Sequence, residues 1–246
     1  MTGPARRRGS RRGRRVAGIV AGVVLVAAAG TIVYSHTLTA PGRLTLPRVA
    51  PVAAGVTSVD GVWRVGPGST IGWRVHQVLL GQQSTLASRT SKVWGSITIA
   101  TGEVTQGSFS VDAAALTGNA AQRSVFGAES HPIATLVLAK PIPLGALPAA
   151  GAAVPYATSG TLTFDGVTRV VPFTAAAERN GNTIAVLADL PIAFPEWNIA
   201  VQGIPFVADL ESPATVEVLL DLTRSPGNPA SALARPGRPS HRPPTA

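Results

Sequence analysis

Between about residues 60 and 224 the apolar positions recur with a period of two. Val216, Val218, Leu220 and Leu222 alternate with Glu217, Leu219 and Asp221, so one face is apolar and the other mixed. Ile184, Val186, Ala188, Leu190 and Ile192 repeat the pattern. Ile71, Trp73 and Val75 alternate with Arg74 and His76, and Val93, Gly95, Ile97 and Ile99 with Trp94, Ser96 and Thr98. Phe109 and Val111 flank Ser110, while Leu136 and Leu138 sit in a short apolar run. Period two is the signature of a strand with one face buried. Residues Gly160 to Phe173 add a hairpin, because two β-branched runs meet at Asp165-Gly166, a pair that readily adopts the positive φ angles of a primed turn. Asn180-Gly181 marks a second turn, between a strand from Val167 to Ala177 and the one from Ile184.

The pattern therefore predicts at least eight strands. Long helical periodicity is absent from this region, apart from a short turn near Gln122 to Ala128. Consecutive strands with short connections make an antiparallel meander, and periodicity leaves open whether it closes into a barrel or folds as a sandwich.

Charge divides the chain into parts. Residues 1–54 carry nine Arg and no acid, residues 55–224 carry a net charge of −3, and the tail adds three Arg. The overall charge of +9 thus belongs to the ends, and the strand region offers no basic face for nucleic acid. Residues 1–15 form a basic segment, and residues 16–34, from Val16 to Tyr34, hold no charge at all. That length suits one transmembrane helix, and Arg before it and not just after it places the N-terminus in the cytoplasm and the rest outside the cell membrane. Ala27-Ala28-Ala29 would suit a signal peptidase, in which case the mature protein is secreted. Apolar sequence continues past that point to Tyr34, which favours a retained signal-anchor.

Residues 35–59, rich in Pro and Ala, read as a linker, residues 60–224 as one domain, and residues 225–246, rich in Pro and Arg, as a disordered tail. A domain of that length buries one core without staples, and the chain has no cysteine to form them.

Candidate chemistry is sparse. The domain has two histidines, His76 and His131, and no H-E-x-x-H or G-x-S-x-G motif, so the sequence points away from an enzyme and from metals or cofactors. Gly66-Pro67-Gly68-Ser69-Thr70-Ile71-Gly72 has glycines but no Lys and no following helix, which makes it a turn rather than a phosphate loop. Asp209 and Glu211, beside Pro213, read as a solvated loop.

Several motifs together resemble the YceI-like family of extracytoplasmic β-barrels. The hairpin G-T-L-T-F-D-G-V-T-R-V-V is similar to its G-x-L-T-x-x-G-V-T-R/K-x-V signature. Gly61 to Val65 with Ser69 and Trp73 resembles its opening strand, with Gly66 where an Asp is usual. Lys92 to Ile97 resembles its x-V-x-G-x-I strand, and Arg123-Ser124 through Phe126 to His131-Pro132 its R-S-x-x-F segment, without the usual acid before the Arg. The resemblance implies an antiparallel up-and-down, lipocalin-like barrel of about eight strands around an isoprenoid or other long-chain lipid, with no enzymatic activity.

On that expectation Trp73, Val75, Ile97, Phe109, Val111, Leu136, Leu162, Phe164, Val171, Phe173 and Val186 line the ligand cavity, or else fill a solid core. Arg123 and His131 are candidates for contact with a polar head group. A further reading makes the barrel a scaffold for protein or cell-wall contacts, carried by Trp63, Trp94 and Trp197 at the surface. The membrane is a partner through the N-terminal helix, and the sequence is silent on oligomeric state.

Overall fold

The structure, a computed structural model, describes residues 40–47, 58–79, 81–116, 130–145, 151–197, 199 and 207–225. The predicted span Val16–Tyr34, the turn near Gln122–Ala128 and Arg123 lie outside these residues. Among the described residues no helix is long and apolar enough to cross a membrane. All the strands belong to the compact unit Gly42–Ala246; the other unit, Met1–Pro41, has only Ala40 and Pro41 described.

Twelve strands follow one another: β1 Gly61–Val65, β2 Thr70–Leu79, β3 Gln82–Thr90, β4 Val93–Ala100, β5 Glu103–Asp112, β6 Ile133–Leu138, β7 Ile142–Pro143, β8 Ala153–Phe164, β9 Val167–Asn180, β10 Thr183–Ile192, β11 Val207–Leu210 and β12 Ala214–Arg224. Single 3-10 turns, Ala113–Leu116 and Phe194–Trp197, follow β5 and β10. Every pairing is antiparallel. β1 and β2 both lie against β12, β4 lies against β1 and β3 against β2, so β1 with β2, and β3 with β4, each make one interrupted stave. From β4 the order runs through β5, β6, β8, β9 and β10 to β12, which returns to β1. The result is a closed up-and-down barrel of eight staves, which decides the choice between barrel and sandwich that periodicity leaves open. β7 adds to β5 and β11 to β2.

Local chemistry sets the joints. The Asp165-Gly166 turn joins β8 to β9 with Phe164 opposite Val167, and both turn residues have positive φ, 47° and 71°. The second predicted turn sits one residue later than expected. Asn180 pairs with Thr183, so Gly181-Asn182 forms the loop and β9 runs three residues beyond Ala177. Between β1 and β2 the Gly66–Ser69 excursion stays on β12. Gly66 N–H donates to the Asp221 carbonyl at 2.7 Å, and the buried Ser69 Oγ accepts from Asp221 N–H at 2.9 Å. The glycines of this segment thus serve a break in a strand. Gly95, by contrast, is required by proximity, since a Cβ there would lie 2.2 Å from the Ser108 carbonyl oxygen of the neighbouring strand. Asp209, expected in a loop, stands in β11 opposite Val78.

On the outer face Glu217 is almost wholly buried, at 1% exposure. Arg74 Nε approaches its carboxylate at 3.0 Å, Arg89 at 3.3 Å and Arg43 at 3.5 Å. Arg43 also pairs with Asp189 at 2.8 Å, so residues around Arg43, in the predicted linker, lie against β10 and β12. A buried carboxylate stripped of water needs such partners. Removing it deprives Arg43, Arg74 and Arg89 of the carboxylate they share and leaves like charges close together. Glu217→Ala is therefore expected to lower unfolding stability by about 3 kcal/mol in urea titration. Arg43 is well exposed, and Arg43→Ala is expected to cost less than about 1 kcal/mol by the same measurement.

Candidate functional site

Strand register carries the inward positions around the ring. Leu136 stands opposite Phe109 on one side and Leu162 on the other. Ala175 stands opposite Tyr156 and Ala188, and Ala188 opposite Val218. Where these inward residues are small, the staves, held apart by their hydrogen bonds, leave the middle unfilled. A cavity of about 260 Å³ results, with an almost entirely apolar wall. Gly107, Ala175, Ala177 and Ala188 line it at places where larger side chains would meet across the axis.

Nine of the eleven residues predicted to line a cavity do so: Trp73, Ile97, Phe109, Val111, Leu136, Leu162, Phe164, Phe173 and Val186. Val75 and Val171 do not. They are buried with Trp73, Ile192, Phe194 and Trp197 in a cluster at the end of the barrel where β2 and β10 meet the N-terminus of β12, and of these Trp73, Ile192 and Phe194 also border the cavity. Two 3-10 turns build this plug. Trp73 Nε1 donates to the Leu116 carbonyl at 2.9 Å, and Asp112 caps the first turn by accepting from Ala115 N–H at 3.1 Å. Trp197 tilts against Phe164 with ring centroids 6.2 Å apart.

His131 is not among the residues lining the cavity. Its Nδ1 lies 3.1 Å from Asp165 Oδ1, on the outside of the β8–β9 turn, with its side chain half exposed. Trp63 and Trp197 are buried, at 0% and 1% exposure, so of the three tryptophans proposed for surface contacts only Trp94, 49% exposed, is available. Trp63 is held by donating to the Val59 carbonyl at 2.8 Å, with the Arg224 guanidinium 5.9 Å from its ring centroid. His76 is exposed and shares a hydrogen bond with Thr85 Oγ1 at 3.1 Å. Among the described residues no three His, Asp or Glu gather in a way that would hold a metal ion.

The wall also has polar members. Tyr156, Thr158 and Arg179 line the cavity, the last two only 7% and 8% exposed. The Tyr156 hydroxyl donates to the Leu144 carbonyl at 3.4 Å, and burial pushes its pKa above the ordinary phenol value. The alternation Phe173, Ala175, Ala177, Arg179 continues inward along one strand, which is the signal by which Arg179 is legible in the sequence.

Residues 63–223 match the model of a family described as the YceI-like domain. No curated protein matches the chain. Among solved structures the chain is similar to BcnA of Burkholderia cenocepacia, with 20% identity and a TM-score of 0.49 over 64% of this chain and 98% of that one. It is also similar to a polyisoprenoid-binding domain from Saccharophagus degradans implicated in plant cell wall breakdown, with 16% identity and a TM-score of 0.50 over 67% of this chain and 99% of that one. At that identity the likeness to the Saccharophagus domain is one of fold.

The division of the interior into a plug and a void has a measurable consequence. Val75→Ala, in the plug, opens a new hole and is expected to cost about 2 kcal/mol in chemical denaturation. Ala188→Leu adds its methyl groups to existing empty space and is expected to change stability by less than about 1 kcal/mol in the same titration.

Proposed function

The chain belongs to the YceI-like family, and from that premise we propose that its barrel binds a long-chain apolar ligand, isoprenoid or fatty-acyl, and carries or sequesters it without chemical conversion. The observation that carries this reading is the apolar cavity of about 260 Å³ inside the ring. The polyisoprenoid-binding activity named for the Saccharophagus domain of the same architecture supports it.

The physics of size and burial refines the proposal. At roughly 30 Å³ per water-sized group, the cavity takes on the order of nine methylenes or methyls. Each is worth about 0.8 kcal/mol when removed from water, or roughly 7 kcal/mol together before ordering costs. That suffices for binding without any polar contact. It also sets a length: about nine groups is close to two isoprene units, so the remainder of a longer tail leaves the barrel or widens it.

We further propose that residues 16–34 tether the barrel to the cell membrane, with the arginines of residues 1–15 on the cytoplasmic side and the ligand site outside. The uninterrupted apolar run and its one-sided positive flank support this reading. The full chain expressed in a bacterial host is expected to stay in the membrane pellet through alkaline carbonate extraction; release into the supernatant overturns the tether.

Binding itself is tested by titrating the purified full chain with geranylgeraniol. Filling the lumen with the double substitution Ala175→Leu and Ala188→Leu is expected to weaken binding at least about tenfold, the equivalent of roughly 1.4 kcal/mol, while thermal unfolding stays cooperative. Undiminished affinity in that variant rules out the lumen as the site.

A further inference from the structure

The two sides of the outer wall differ in chemistry. Arg74, Arg89, Glu217 and Asp189 stand on β2, β3, β12 and β10, and Arg43 lies over the last two. On the other side, the outward positions of β4, β5, β6, β8 and β9 form register rows without a charge. One row runs from Trp94 through Ser110, Thr135 and Thr163 to Thr168, and the next from Ser96 through Ser108, Val137 and Thr161 to Val170. Charge returns at the ends of these strands, at Lys92, Glu103, Asp112, Asp165 and Glu178. Arg169, on the other phase of β9, turns to the Glu196 carbonyl. Of the large apolar side chains exposed among the described residues, Trp94, Ile133, Val137 and Val170 belong to this side, and Val62 on the adjoining β1 is the other. Val170 is 64% exposed, more than any of the rest.

Binding an apolar chain inside the barrel makes no use of this face. We infer that it pairs with the same face of a second copy of the chain about a two-fold axis. A two-fold contact sets one patch against itself, so any charge near the axis meets its own kind. A face without charge escapes that cost. Hydroxyl groups are self-complementary in the same sense, because each both donates and accepts. Ser110 and Thr135 share one hydrogen bond at 3.2 Å, and Thr163 and Thr168 another at 2.9 Å, which leaves each pair one O–H and several lone pairs for a facing copy. The protruding Val137 and Val170, two staves apart in one row, supply the apolar contacts between hydroxyls. A partner of unlike chemistry would be met by complementary charge or by a continuous apolar patch, and these rows offer neither. The segment pinned by Arg43 lies on the charged side and leaves the rows open. At the usual strand spacing and rise, β5, β6, β8 and β9 over the length from Pro155 to Thr163 present about 19 by 26 Å, or about 500 Å². That is less than the roughly 800 Å² per partner of a standard stable interface, so the dimer is a dissociable one.

The chain has no cysteine, so a single introduced thiol reports on one position. Ser108→Cys, Thr161→Cys and Val170→Cys sample the rows, and Gln83→Cys, exposed on β3, serves as the comparison. Each full-length variant is oxidised with copper phenanthroline, both in host membranes and purified in mild detergent. At least one of the three is expected to form a disulfide-linked dimer about tenfold or more faster than Gln83→Cys, since a disulfide needs close and well-directed partners. Adding Val137→Glu to that variant is expected to slow its cross-linking by about tenfold, because it brings two carboxylates into the contact. Ser110→Glu takes its place if Val137→Glu does not fold. Equal rates at all four positions, or a rate indifferent to the added carboxylate in a folded variant, overturn the pairing. Adducts with a different protein alone in host membranes, or protection of the thiols by phosphatidylcholine vesicles with no dimer formed, point to another occupant and overturn it as well. Each of these failures leaves the lipid-binding reading standing.

Discussion

Closing a sheet on itself at eight staves fixes the width of what it encloses, and almost everything else about this molecule follows from how that width is filled. Main-chain hydrogen bonding sets the spacing and tilt of the staves, so the wall cannot contract to meet small side chains. Where the inward residues are Trp73, Phe164, Phe194 and Trp197, their rings pack into a cluster that borders the chamber. Where they are Gly107, Ala175, Ala177 and Ala188, a void persists. The same backbone geometry thus yields a plug at one end and a chamber in the middle. Function, on the reading proposed here, is a matter of missing side-chain volume rather than of reactive groups.

Much of this was legible in the residue pattern, because alternation at period two reports which face is buried and turn residues report where the chain reverses. The Asp165-Gly166 hairpin is the clearest case, since one dipeptide sets both the register and the hand of the turn. Other features depended on information that alternation does not carry. Val75 and Val171 have the same inward phase as their neighbours, but their height along the axis puts them in the plug, and height is set by stagger between strands. Arg179 lies beyond Ala177, where the strand read from the sequence ends, and only the longer β9 puts it in phase with the wall. The tryptophans follow the ordinary tendency of that residue to be buried. Trp63 and Trp197 are among the most deeply buried residues, and only Trp94, on the outward phase of β4, faces solvent.

Charge is used twice, on opposite faces of the wall. Outside, Glu217 is satisfied by arginines that come from β2, from β3 and from the segment ahead of β1, so this cluster of charges acts as a clasp between parts of the chain far apart in sequence. Inside, Arg179 stands buried among mostly apolar wall residues.

The ring is joined at its two extremes. Trp63 pairs with Arg224 and Val65 with Leu222, Ser225 N–H donates to the Val62 carbonyl, and Arg64 reaches Ser225 Oγ at 2.8 Å. β2 lies against the same final strand, from Thr70 opposite Leu219 to Arg74 opposite Thr215, and the remaining staves follow one another along the chain. During synthesis, hairpin after hairpin has its partner available as it emerges from the ribosome, yet the opening strand waits for the final one. Until β12 arrives, β1 and β2 lack the neighbour that closes the ring, so the sheet keeps two open borders until nearly the whole chain has been made.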